Sequence, residues 1–379
     1  MIQEKLRNDL FDKIPENSKI VIFGAGEVGQ KMYKDIVQEK PNVNVIGFID
    51  NYIKDKSLNL PVWTIKQFID TQEKIDLIVM STRVCNSMIC NIFNVYNIPV
   101  LVQTEFVSDY YRMNKNILSE ENYIKVKNIF SQKEDKDLFK LLFKARCECK
   151  VDEVREYHIK RYGNTNFLTF VAIKDHYLDK INKNAVKTLL DIGMNSGLNI
   201  IAFNKLLPNL KKIYGFEAIY ETVRQQYIED FIKNEKFELI PYAVGEMEQK
   251  TKFYIDTHSL GGSFCADISS RKIIQGNPRW KEIIVNITTI DKYCFEYDIK
   301  PDFIKMDIEG AELSALKGGI ETIKKHRPQL AISIYHSDED FINIPLYLSK
   351  NLQNYSFALG HYTPRITETV LYAIPAELA

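Results

Sequence analysis

Long apolar runs, paired cysteines and an excess of either charge are all missing from this sequence. No apolar run approaches the roughly 18 residues that a membrane-spanning helix needs, so no membrane span is expected. The opening residues, "MIQEKLRNDLFDKIPENSK", are charged and hold no continuous apolar core, which speaks against a secretory signal. The six cysteines form no CxxC pair, and Cys147 and Cys149 in "RCECK" stand too close for the usual zinc half-site. Reduced thiols in a cytoplasmic protein are the expectation. Lys+Arg and Asp+Glu are 50 each, a formal net charge of zero. Nucleic-acid affinity is built on surplus basic groups, so no nucleic-acid partner is expected. The densest basic stretch, "ETIKKHR" over Glu321–Arg327, reads as a solvated helix end.

What is present is a repeated alternation of strand and helix. The 379 residues are enough for two or three domains with real cores. In residues 1–104, "KIVIFGA", "VNVIGFID", "IDLIVMST" and "IPVLV" read as strands, separated by helical stretches such as "EVGQKMYKDIVQ". "NYIKDKSLNLPVW" reads as turns. Such alternation predicts a parallel sheet with helices on its faces, a doubly wound half. Residues 105–181 lose the strand blocks and read as a helical connector that packs on the next domain. Alternation resumes over residues 182–379 with "VKTLLDIG", "LKKIYGFEA", "FELIPYAVG", "PDFIKMDIEGAE" and "PQLAISIYH", and closes on a hairpin, "YSFALGHYTPRITETVLYAIP". In open sheets of this kind, ligands bind beyond the carboxyl ends of the strands.

The later domain opens on "LLDIGMNSGLN", an Asp-x-Gly-x-Asn-x-Gly turn rather than GxGxxG. A diphosphate calls for a nest of backbone N–H groups at a helix N-terminus. An acid at a strand end suits a ligand without phosphate. S-adenosyl-L-methionine is such a ligand, with an ammonium, a sulfonium and a ribose diol. Asp191 is placed for the ammonium, and Gly193, Asn195 and Gly197 form the turn, the glycines letting the ligand approach the backbone. Glu217, 26 residues beyond Asp191 and ending the second strand, suits the ribose diol as a charged acceptor. Singly, Asp191 reads equally as a helix cap and Glu217 as a strand-end charge; the pairing favours the ligand.

"IKMDIEGAE" ends the fourth strand with Asp307, Glu309 and Glu312 close together. Carboxylates this near repel unless a cation, proton or donor intervenes. One reading sets Asp307 toward the reacting centre and lets Glu309 orient substrate. A second makes Asp307 and Glu309, with or without Glu312, a metal site. The third takes Glu312 as an ordinary acid at a helix N-terminus. The reading adopted assigns no metal. His336 ends the fifth strand and is a candidate proton acceptor for an alcohol. His361 is a weaker candidate, and "HSLGGS" over His258–Ser263 is either a lid or a surface turn.

The order "LLDIGMNSGLN", "YGFEA", "AVG", "ITTIDKY", "DFIKMDIEGAELSALKGG", "HRPQLAISIYH", "TETVLYAIP" resembles FkbM-type methyltransferases over roughly Lys187 to Pro375. Met194 stands where those domains commonly have alanine. The resemblance implies a class I methyltransferase fold and O-methylation dependent on S-adenosyl-L-methionine, often of sugar or polyketide hydroxyls. It implies cofactor contacts at Asp191, Gly193 and Glu217, and places Asp307, Glu309 and His336 near the transfer centre.

The first turn differs. "GAGEVG" supplies Gly24, Gly26 and Gly29 between a strand and a helix, and Asp50 ends the next strand 21 residues past Gly29. That is a dinucleotide fingerprint in its required context. The segment also resembles small nucleotide-sugar-binding domains of sugar-modifying transferases. A nucleotide or nucleotide-sugar, NAD(P), and an empty docking or dimerisation module all remain open for it. The fold expected is therefore α/β, two Rossmann-like parallel-sheet domains joined by a helical connector. The function expected is methylation of a sugar or nucleotide-linked sugar in glycan assembly. A nucleotide-sugar oxidoreductase and a non-catalytic nucleotide-binding scaffold are the rivals. Whether the chain forms a homo-oligomer stays open.

Overall fold

The computed structural model describes residues 14–50, 59–81, 93, 95–102, 116–148, 152–162, 176–197, 199–219, 233, 235–256, 263–264 and 280–378. Two compact units divide the chain: residues 1–110 with 155–175, and residues 111–154 with 176–379.

The first unit is built on β1 (Lys19–Phe23), β2 (Asn44–Ile49), β3 (Val62–Trp63), β4 (Leu77–Met80) and β5 (Val100–Val102), with α1 (Glu27–Glu39) after β1 and α2 (Ile65–Asp70) after β3. The sheet order is β3-β2-β1-β4-β5 and every pair is parallel. All of β1 beyond Lys19 is buried, as expected of a central strand covered on both faces. Ile20, Ile22, Ile36, Val45, Phe48 and Val79 make its core. The sequence shows four of these strands. The fifth, β3, hides in the turn-rich stretch, because two residues carry no periodicity. It adds to β2 at Phe48 and Ile49. Gly47 makes this fit, since a Cβ there would come within 2.5 Å of the Trp63 ring.

The stretch read as one connector is shared between the units. Helices α3 (Glu120–Lys127) and α4 (Lys133–Glu148) fall in the second, and most of α5 (Asp152–Tyr162) in the first. α4 buries Leu138, Phe139, Leu142, Ala145 and Arg146, one face at helical spacing. Phe139 stacks on Phe341 at 5.0 Å, and the buried Arg146 guanidinium lies 4.2 Å from the same ring centre.

In the second unit β6 (Thr188–Ile192), α6 (Asn199–Leu206), β7 (Lys212–Phe216) and β8 (Phe237–Ile240) come first. An excursion follows, β9 (Ala243–Val244), β10 (Gln249–Asp256), β11 (Ser263–Phe264) and β12 (Trp280–Thr288), which form their own sheet in the order β11-β10-β12-β9. The chain returns through α7 (Ile290–Glu296), β13 (Phe303–Met306), α8 (Glu312–Lys317), α9 (Ile320–His326), β14 (Gln329–Ser333) and α10 (Asp338–Asn351). It ends on the hairpin β15 (Tyr355–His361) and β16 (Thr369–Pro375).

The main sheet is ordered β15-β16-β14-β13-β6-β7-β8. Only β16 runs against its neighbours β14 and β15. This is the class I methyltransferase sheet expected from the resemblance. Strand order reverses at β6: β7 and β8 lie to one side, β13 and β14 to the other. Ligands of open α/β sheets bind at such a switch point. No helix of the described residues is long and apolar enough to cross a membrane.

Candidate active site

The turn after β6 is shaped by three residues with left-handed backbone: Gly193 (φ 78), Asn195 (φ 51) and Gly197 (φ 82). The amides of Gly193 and Met194 both donate to the Phe216 carbonyl, at 3.0 and 3.2 Å, which ties the turn to β7. The reason for glycine at 193 differs from the sequence reading. A Cβ there would lie 1.9 Å from the Asp307 carbonyl oxygen, so the neighbouring turn by itself requires glycine at 193. Met194 is buried, and its sulfur occupies the space left by Gly215, where a Cβ would meet it at 2.4 Å.

Glu217 follows β7 directly and is buried. Its Oε2 accepts from the Asn195 amide at 2.8 Å and its Oε1 from the Ile219 amide at 2.9 Å. Burial pushes this carboxyl up to about 7; the two amide donors and Lys305 pull it down, and Asp191 adds to the rise. A carboxylate offers about four lone-pair positions, so room for further donors remains on both oxygens.

Asp191 lies inside β6, fully buried, with Lys305 of β13 beside it in register. Lys305 Nζ stands 2.9 Å from Asp191 Oδ1 and donates to the Gly193 carbonyl at 2.7 Å. Asp191 Oδ2 has no hydrogen-bond partner among the described residues. Sequence reasoning missed Lys305. The available signal was a lysine in the otherwise apolar "FIKM", since a buried lysine needs a charge partner.

The third cluster surrounds His336, which stands beyond the end of β14 and just before Ser337, the N-cap of α10. Its Nδ1 is 3.1 Å from Glu312 Oε1. Its Nε2 is 3.4 Å from Asp307 Oδ1 and 3.3 Å from Glu309 Oε2. Burial pulls this imidazole down, but Glu312, Asp307 and Glu309 outweigh it and hold it up at about 10. Facing three carboxylates alone, the imidazole keeps its proton at neutral pH, so the proton-acceptor role read from the sequence holds only where another cation displaces that proton.

Asp307 is the first residue past β13. Tyr177 Oη donates to its Oδ2 at 2.7 Å and Tyr335 Oη to its Oδ1 at 3.4 Å. Burial raises the Asp307 carboxyl, yet His336, Lys305 and the Tyr177 hydroxyl bring it below the usual range. Half-exposed Glu309 is pushed up to about 7 by the desolvation of its surroundings; His336 opposes this, and Asp307 and Glu312 add to it. Glu312 does begin α8, as the bland reading had it, but it is fully buried. Its two oxygens accept from the amides of Ile308 (2.8 Å) and Gly310 (2.9 Å).

Tyr177 precedes the alternating region and carries no motif, so the sequence gives no signal for its role. His361 is buried in β15, its Nδ1 2.9 Å from Oγ1 of its cross-strand partner Thr369. Residues 258–262 of "HSLGGS" lie outside the described residues.

In the first unit, Gly24 (φ 99) donates its amide to the Ile49 carbonyl at 2.8 Å. The Ala25 amide donates to Asp50 Oδ2 at 2.9 Å. Gly26 is the N-cap of α1 and brings no side-chain cap. Gly29 lets α1 close on the turn, because a Cβ there would meet the Gly24 carbonyl at 1.8 Å.

Residues 191–358 match the family model of the methyltransferase FkbM domain. The second unit carries an FkbM methyltransferase domain. Its activity is methyl transfer dependent on S-adenosyl-L-methionine. The match to the FkbM domain begins at Asp191 and takes in Glu217, Lys305, Asp307 and His336, while Tyr177 lies outside it. No curated protein matches the sequence. The crystal structure of a methyltransferase FkbM from Methylobacillus flagellatus is similar at 18% identity and a TM-score of 0.50. The alignment covers 97% of this chain and 93% of that one, and shows a shared fold. Aeropyrum pernix fibrillarin with bound S-adenosyl-L-methionine gives 9% identity and a TM-score of 0.31, over 52% of this chain and 71% of that one. A methyltransferase from Podospora anserina gives 9% and 0.30, over 70% and 90%. Both likenesses are too slight to bear on the fold.

Proposed function

We propose that the chain moves a methyl group from S-adenosyl-L-methionine to a hydroxyl of a sugar or nucleotide-linked sugar in glycan assembly. The observation that carries the cofactor placement is Glu217, a buried carboxylate at the switch point held by two backbone amides with acceptor positions to spare. A ribose diol suits it. Asp191 Oδ2, buried and without a hydrogen bond among the described residues, suits an ammonium, and Lys305 balances the charge of the other oxygen.

When bound, the cofactor supplies an electrophilic methyl. The chain's own residues hold the two reactants in line, an arrangement that can contribute many powers of ten. Asp307 is fixed by Tyr177, and half-exposed Glu309 sits at the open side of the cluster. In this reading the half-exposed Glu309 accepts the acceptor's hydroxyl hydrogen, with Asp307 and His336 beside it. In the first unit, Gly24, the uncapped N-terminus of α1 and Asp50 support a phosphate-bearing ligand such as a nucleotide-sugar.

Calorimetric titration of the intact chain with S-adenosyl-L-methionine, UDP-sugars and NAD tests the reading, together with transfer of labelled methyl to those sugars. Binding of the first two with label in the sugar is expected. NAD binding with reduction of the nicotinamide, and no label transfer, would replace this proposal with the oxidoreductase.

A further inference from the structure

We infer that Asp307, Glu312 and His336 form a site for one divalent cation beyond the carboxyl ends of β13 and β14. Each offers a ligand atom, and the three atoms lie within 4.8 Å of one another. The sequence reading placed no metal here; the geometry around the imidazole argues for one.

The His336 side chain is only 9% exposed, and among the described residues neither ring nitrogen makes an aligned hydrogen bond. Yet three carboxylate oxygens surround it at 3.1, 3.3 and 3.4 Å. An imidazolium simply bonded to a carboxylate closes to about 2.7–2.9 Å. These groups stand farther off and out of line. Glu312 lies on the Nδ1 side of the ring and Asp307 on the Nε2 side, so an ion would take one ring nitrogen and draw the far carboxylate in from within the 4.8 Å that separates the three ligand atoms.

Charge argues the same way. Three carboxylates face one imidazole, and the nearby cation, Lys305, is engaged by Asp191 and the Gly193 carbonyl. The outer partners are in place too. Glu312 is gripped by the Ile308 and Gly310 amides, and Asp307 by the Tyr177 and Tyr335 hydroxyls. Metal-ligating groups are characteristically supported in this way. Two carboxylates and one imidazole suit a divalent ion that accepts both oxygen and nitrogen, and Mn2+ serves as the probe.

What the ion does rests on the methyl-transfer reading; whether it binds does not. Three protein ligands leave positions for the acceptor hydroxyl, whose acidity the ion would raise. The O–H bond then breaks toward the Glu309 carboxylate. The new O–C bond forms as the methyl–sulfur bond breaks, and that electron pair stays on sulfur.

The test uses the full chain, stripped with chelator and titrated with Mn2+ by calorimetry and electron paramagnetic resonance. One Mn2+ per chain is expected, with nitrogen coupling from a directly bound imidazole. His336→Ala and Asp307→Asn, checked for folding by circular dichroism, should each weaken binding at least about tenfold. No bound Mn2+, binding without nitrogen coupling, or unchanged affinity in both folded variants would overturn the site. The coupling is read on the unaltered chain, so a variant that fails to fold does not spare the idea. S-adenosyl-L-methionine is titrated into the same preparation. Cofactor binding without Mn2+ binding sinks the metal alone; Mn2+ binding without cofactor binding sinks the methyl-transfer reading alone.

Discussion

Lys305 and Asp191 are register partners on adjacent central strands, and their charged ends meet at 2.9 Å with essentially no exposure of either side chain. Breaking a buried ion pair from one side leaves an uncompensated charge. Lys305→Met should therefore destabilise the second unit by about 3–5 kcal/mol. The double change Asp191→Leu with Lys305→Met should cost far less, since no charge is stranded. Urea unfolding of the singles and the double decides it. A double as damaging as the sum of the singles would show that the pair is not coupled.

Glu217 makes stability depend on pH in a defined direction. Its carboxyl is raised from 4.5 to about 7 in the folded chain. The stability it contributes is complete below the unfolded value near 4.5 and is lost as pH rises through 7. The loss amounts to about 3 kcal/mol once the group is fully ionised. Glu217→Gln should flatten that part of the profile. The same variant should bind S-adenosyl-L-methionine at least about tenfold more weakly above pH 7, since a neutral amide is a poorer acceptor for a diol. Identical stability profiles for the two proteins would refute the burial argument, and unchanged affinity the ribose assignment.

Two glycines near the cluster should respond differently to alanine. At Gly193 the new Cβ would meet the Asp307 carbonyl at 1.9 Å and φ is 78, so both clash and strain apply. Gly310 has φ 98 but its nearest neighbours stand 3.8 Å off. Gly310→Ala should cost only the backbone strain, about 1–2 kcal/mol. Gly193→Ala should cost several times more and displace Asp307. Comparing melting temperatures is sufficient; equal losses would mean the two turns separate easily.

Tyr177→Phe removes one hydroxyl from a buried carboxylate. Hydrogen bonds to charged groups contribute about 1.5–3 kcal/mol, so a fall in methyl-transfer rate of about tenfold or more is expected. Affinity for S-adenosyl-L-methionine should hold, because Tyr177 touches Asp307 and Ser333 rather than Glu217. A loss of cofactor affinity with an intact rate would assign Tyr177 elsewhere.

Strand-helix alternation made most of both sheets legible, because buried parallel strands announce themselves as apolar blocks. The acids at strand ends were legible for a related reason: "LLDIG", "YGFEA" and "IKMDIEG" each break an apolar block with a charge at its carboxyl end. β3 was not legible, since two residues have no period. Lys305 was passed over although Asp191 sits at the matching place on the neighbouring strand; register exists only once the strands are paired. His336 was placed at a strand end, whereas β14 stops at Ser333, because "ISIYH" continues the apolar pattern past the last ladder bond. The surroundings that determine its charge come from β13 and α8, and strand-end logic is blind to them.

Glu312 grips the amides on either side of Glu309, whose own backbone is left-handed at φ 57. The loop's entropy is thus surrendered when the chain folds, not when a guest arrives. A mould already hardened selects by shape: acceptors differing in one substituent would be turned away instead of accommodated.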